Sequence, residues 1–116
     1  MFDIESALAR IDGDRELLVE VAGLFRRDCP QMMEEIRDAI ARGDAATLQR
    51  EVHKMKGALG AFSAQPACEA AQVLETLGER GDIARASEAC RLLEAELSRL
   101  EPELESLVKG RVPCAS

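Results

Sequence analysis

Val52-His53-Lys54-Met55-Lys56-Gly57-Ala58-Leu59-Gly60-Ala61-Phe62-Ser63-Ala64 holds the only histidine of the chain and divides a buried helical face from an exposed one. At about 100° per residue, Leu48, Val52, Met55, Leu59 and Phe62 fall in an apolar stripe roughly 80° wide, which is the face of a helix packed on a core. His53, Lys56, Gly57 and Gly60 form a second stripe at the i, i+3, i+4, i+7 spacing, about 120° round from the first. His53 is therefore expected beside the core and turned towards water. A glycine inside a helix costs about 1 kcal/mol relative to alanine, so two on one face beside an exposed imidazole point to close approach by another surface.

Working outward, Gly43-Asp44 precedes this helix as a terminator followed by an N-cap, and Gly81-Asp82 repeats the device further on. Before Gly43, the residues Leu17, Val21, Leu24, Phe25, Met32, Ile36 and Ile40 recur at helical spacing, with Pro30 expected to kink one long helix and not to split it. After the histidine helix, Gln65-Pro66 opens another with a narrow apolar face of Cys68, Ala71, Leu74 and Leu77. Beyond Asp82, the residues Ile83, Ala86, Cys90, Leu93, Leu97, Leu100, Leu104 and Leu107 alternate steps of three and four, a strict a/d seam. Pro102 is expected to kink or fray this last helix. Four amphipathic helices joined by short turns close on one another, and the fold predicted is an all-α, antiparallel up-down four-helix bundle. Residues 2–11, with Phe2, Ile4, Leu8 and Ile11, suggest a short extra N-terminal helix across one end. The bundle is expected over residues 1–110 and a tail over 111–116.

Composition agrees. The chain has 116 residues, no Trp or Tyr and four prolines, a helix-forming make-up with little to build a sheet from. The net charge of −7 comes without a dense Lys/Arg cluster, so nucleic acid is not an expected partner. Neither a membrane span nor a signal peptide is legible, and a cytoplasmic monomer is expected. Cys29, Cys68, Cys90 and Cys114 are widely spaced, and with one histidine they do not make a zinc pattern; core packing is expected, with no metal and no cofactor.

The pattern His53, then Lys56-Gly57, then a small-residue run to Ser63-Ala64, resembles the signature of histidine phosphotransfer (HPt) domains. The likeness extends to the flanks: a Gly-Asp before a long Leu/Phe-rich helix, Ala-Arg-Gly-Asp before the histidine helix, and Leu-Gly-Glu-Arg-Gly-Asp after the next. The resemblance implies a carrier in a two-component phosphorelay, whose histidine takes a phosphoryl group from a receiver-domain aspartate and passes it to another receiver. His53 is then the phosphoacceptor, and Lys56 stabilises the phosphoryl oxygens as a point charge. Gly57, Gly60, Gln49 and Met33 are assigned to the partner surface, Met33 because Met32 fits the core periodicity and should displace its neighbour to a flank, with partial burial of Met33 under the first helix as the alternative. The domain would not be an enzyme by itself.

Two other readings remain open at this stage. One is an adaptor bundle in which His53 is incidental, and the other is the substrate domain of a chemotaxis-type kinase. The chain also departs from the family pattern: Ser63 stands where many relatives have glycine, and Glu75 and Glu79 stand where some have Gln and Arg. Glu51, Glu75 and Glu79 are read as residues of solvated helix faces and not as an acid/base site, and because carboxylates facing His53 would disfavour phosphate, Glu75 and Glu79 are expected to turn aside or pair with Arg80.

Overall fold

The computed structural model describes residues 15–62 and 64–109, and it is helical throughout: α1 (Arg15–Arg42), α2 (Ala45–Gly60), α3 (Gln65–Arg80) and α4 (Ile83–Val108). No strand occurs among the described residues. The expected N-terminal helix, the Gly13-Asp14 pair before the Leu/Phe-rich helix, Ser63, Cys114 and the tail lie outside them. Both long helices run through their prolines, so Pro102 does not end α4, which continues to Val108.

The turns follow from their residues. Gly43 takes a left-handed φ of 69°, a conformation that a Cβ would penalise, and this lets Asp44 N donate to Ala39 O at 2.8 Å. Asp44 then caps α2, its Oδ1 accepting from Thr47 N at 3.1 Å while Thr47 Oγ1 donates to Oδ2 at 2.7 Å. These bonds to Thr47 hold the Asp44 carboxyl below its ordinary range. Gly81 and Asp82 do the same for α4, with Arg85 N donating to Asp82 Oδ1 at 3.3 Å. α3 begins without a side-chain cap, on Ala64, with Pro66 in its first turn, where a missing N–H costs nothing.

Each helix packs against two others: α1 on α2 and α4, and α3 on α2 and α4. The seam of α4 is buried from Ala86 to Leu107. In α1 the core face keeps Phe25 and Ile36 from the expected one and otherwise shifts to adjacent residues. Leu18, Ala22, Phe25, Met33, Ile36 and Ala39 are buried, while Leu17 and Leu24 are exposed and Met32 is only half-buried. The reason is that α1 faces two neighbours at once, and Ala22 and Ala39, which weigh little in a hydrophobic pattern, let them approach. Phe25 meets Phe62 edge-on at 5.7 Å between centroids, which ties α1 to the chain just after α2 and contributes about 0.5–1.5 kcal/mol beyond area.

The α2/α3 contact is the one that positions the site. A Cβ on Gly78 would lie 3.3 Å from the backbone N of Gln49, so glycine there lets two helix backbones come close. One turn further along α2, His53 meets Glu75, and beyond it Lys56 meets Gln72. Across the bundle, Arg26 grips Glu101 with two bonds at 3.0 and 2.9 Å, and Arg37 pairs with Glu94. These pairs are partly exposed and contribute at most about 1 kcal/mol each. They record register more than they supply stability.

Candidate functional site

His53 projects from the middle of α2 with 68% of its side chain exposed, as the two-stripe reading of the sequence requires. Its Nδ1 lies 2.8 Å from Glu75 Oε2, and the Glu75 side chain is only 7% exposed. Glu75 is thus neither turned aside nor paired with Arg80; it reaches from α3 under the imidazole. The expectation of a solvated carboxylate failed because α3 is rotated to bury Ala71, Leu74, Glu75 and Gly78, a face that runs closer to α2 than the Cys68/Leu77 stripe.

The second carboxylate oxygen explains why burial is tolerated. Lys56 Nζ sits 2.6 Å from Glu75 Oε1, an ion pair lacking the alignment of a hydrogen bond, and it also donates to Gln72 Oε1 at 2.8 Å. Gln72 Nε2 in turn donates to Thr76 Oγ1 at 3.2 Å. Burial pushes the Glu75 carboxyl up, yet the ammonium of Lys56 and the ring of His53 together outweigh it and hold the group below the ordinary carboxylate range. Glu75 is therefore an anion at neutral pH. An ionised carboxylate only accepts, so the nitrogen facing it, Nδ1, carries a proton, and in the neutral ring the lone pair is then on Nε2. One exposed nucleophilic nitrogen, with a cation one helical turn away, is what the cluster offers chemically.

The remaining candidates divide. A Cβ on Gly57 or Gly60 would meet nothing within 4 Å, so neither glycine is required by packing inside the bundle. Gln49 is half-buried at the Gly78 crossing. Met33 is 5% exposed and belongs to the core between α1 and α4, which overturns its placement on a flank. Met32 and Met33 are equally apolar, and only the rotation of α1 distinguishes them. Glu51 is likewise buried, against expectation, with its own cations Arg50 and Lys54. Glu79 is exposed.

Sequence reasoning missed Glu75 and Gln72 as site residues. The usable signal was the spacing of Gln72 and Glu75 at i, i+3, matched to His53 and Lys56 at i, i+3 across a short turn.

Cys90 is buried and Cys29 and Cys68 are half-buried, and burial first, then Glu101, pushes the Cys29 thiol up to about 11. Neither a cluster able to hold a metal ion nor a helix long and apolar enough to cross a membrane occurs among the described residues.

No curated protein and no solved structure matches the chain. A family model described as the Hpt domain matches residues 20–103, which cover α2 and α3 whole together with most of α1 and α4. With His53 exposed on α2, Lys56 one turn on, and a match over well over half of its 116 residues, the chain belongs to the Hpt domain family.

Proposed function

We propose that this protein is a phosphoryl carrier of a two-component phosphorelay, accepting the group on His53 Nε2 from the aspartyl phosphate of one receiver domain and returning it to the aspartate of another. The observation that carries this reading is the bond from Nδ1 to a buried Glu75, which leaves Nε2 as the reacting atom. In the forward step the Nε2 lone pair attacks phosphorus, the P–O bond to the donor carboxylate breaks, and its electrons leave on that carboxylate. The positive charge that develops on the ring is stabilised by Glu75 through Nδ1–H. Lys56, already beside the ring, turns towards the transferred oxygens as a point charge. The reverse step runs over the same groups.

Little rate enhancement comes from this chain alone, because the receiver's own metal ion carries most of the electrostatics of phosphoryl transfer. Hpt domains are carriers and not catalysts, and we extend that to this one. Gly57 and Gly60 leave the plane beside His53 open to a docking partner, and Gln49 borders it. The pairs 49 with 78, 53 with 75, 56 with 72, 26 with 101 and 37 with 94 support an antiparallel up-down order of the helices. We take residues 1–110 as the domain, working as a cytoplasmic monomer.

Glu75 also favours a second reading, as the substrate domain of a chemotaxis-type kinase. ATP is a weaker phosphoryl donor than an acyl phosphate, and a carboxylate-supported imidazole is the stronger nucleophile that such a donor requires. Incubation with a panel of phosphorylated receivers, read as acid-labile label on this chain, separates the two. Rapid labelling from a receiver supports the carrier, label only from a kinase with ATP supports the substrate domain, and no label from either leaves His53 incidental.

A further inference from the structure

Among the described residues, only Glu51 and Glu75 are buried charges; Glu75 meets His53, and Glu51 precedes it by two positions on α2, about 200° round the helix. Glu75 belongs to the chemistry of the ring. Glu51 has no part in it, yet its side chain is just 10% exposed, with Oε1 3.1 Å from Lys54 Nζ and Oε2 3.6 Å from Arg50 Nε. Those two cations stay at the surface, 58% and 66% exposed. On a helical projection Arg50 and Lys54 lie about 60° and 100° round from His53, on the flank away from Lys56 and α3, with Gly57 between them and the ring. The imidazole is thus bordered on both sides by surface cations, each tied to a buried carboxylate: Lys56 on Glu75, and Arg50 with Lys54 on Glu51.

The charge of the whole chain makes this arrangement selective. Although the net charge is −7, α2 holds three cations (Arg50, Lys54, Lys56) against one carboxylate (Glu51). In each of the other three helices carboxylates outnumber cations. A carboxylate that anchors two long side chains removes part of the freedom they would otherwise lose on meeting a partner. An acidic protein is therefore repelled by most of this bundle and attracted to one strip of it, beside the histidine.

We infer that Arg50 and Lys54, held by Glu51, form a cationic shelf that seats the acidic rim of a receiver domain's phosphorylation pocket on the side of His53 away from α3. This rests on the carrier reading proposed above. The partner's acidity follows from chemistry: a site that stabilises an aspartyl phosphate with a hard divalent cation is built from oxygen ligands, mainly carboxylates. The shelf directs encounter and orientation and takes no part in bond making.

The test uses the full chain as wild type, as Arg50→Gln/Lys54→Gln, and as Arg50→Gln/Glu51→Gln/Lys54→Gln, which removes the buried charge along with its partners and so leaves no uncompensated carboxylate in the interior. Phosphoramidate labels an exposed imidazole without docking, so it reports on His53 alone. A phosphorylated receiver reports on docking as well. Both variants are expected to label from phosphoramidate at the wild-type rate, while KM for the receiver rises about tenfold at low salt with kcat unchanged. The dependence of kcat/KM on ionic strength should also flatten. A wild-type kcat/KM for the receiver at low salt, or an unchanged salt dependence, would overturn the shelf. Equal loss with both donors would overturn it too, by moving the cations into the chemistry. Wild type that labels from phosphoramidate and from no receiver would instead defeat the carrier reading, and the shelf with it.

Discussion

Replacing Gly57 by Gln puts stability and function in opposition. A Cβ at this position meets nothing within 4 Å, and Gly57 lies in the last turn of α2. Glycine there costs about 1 kcal/mol relative to alanine, and Gln is nearly as good a helix former as alanine. The variant should therefore gain roughly 0.5–1 kcal/mol, which for a domain of this size raises Tm by about 2–6 °C. Gly78 provides the control, since a Cβ there would press on the backbone of Gln49 at 3.3–3.4 Å. Overpacking against a helix backbone costs about 1–3 kcal/mol, which offsets the propensity gain of about 1 kcal/mol, so Gly78→Ala should melt lower than Gly57→Gln. The assay is a melting curve beside a transfer time course for each variant. Gly57→Gln should melt higher and yet transfer more slowly, because its side chain stands where the receiver must approach. A higher Tm with unchanged transfer would refute the docking face, and a lower Tm would refute the open placement of Gly57.

Three further outcomes follow from the same geometry. His53→Gln should keep the fold, with Tm within a few degrees of wild type because the residue is mostly exposed, and should lose all acid-labile label; retained label would place the acceptor elsewhere. Lys56→Ala should slow transfer while receiver binding, measured by titration calorimetry, stays nearly intact; an equal loss of both would make Lys56 a docking residue. Because the Glu75 carboxyl is held below its ordinary value of 4.5, its pairing stabilises the fold above that pH and ceases to do so as pH falls through the lower folded value. The Tm difference between wild type and Glu75→Gln should accordingly be positive near neutrality and shrink in acid; a difference independent of pH would show that the carboxylate charge is not what matters.

What the sequence determined by itself is whatever depends on neighbours close along the chain. The apolar stripe from Leu48 to Phe62, the caps at Asp44 and Asp82 after their glycines, and the a/d seam of α4 all involve residues a few positions apart, so spacing and residue type suffice. The exposure of His53 belongs to the same class, since an amphipathic helix with a known buried face has a known outer one. Only tertiary structure decided which of two adjacent apolar residues is core, as with Met32 and Met33, because a rotation of about 100° separates them and only the packing of α1 between α2 and α4 selects one. It decided Glu75 as well. A carboxylate 22 positions after His53 reads as solvated by local pattern, and it becomes the partner of Nδ1 because the close crossing at Gly78 brings α3 against α2 in that register. Lys56 and the imidazole then offset the desolvation that would otherwise keep the carboxylate out of the interior.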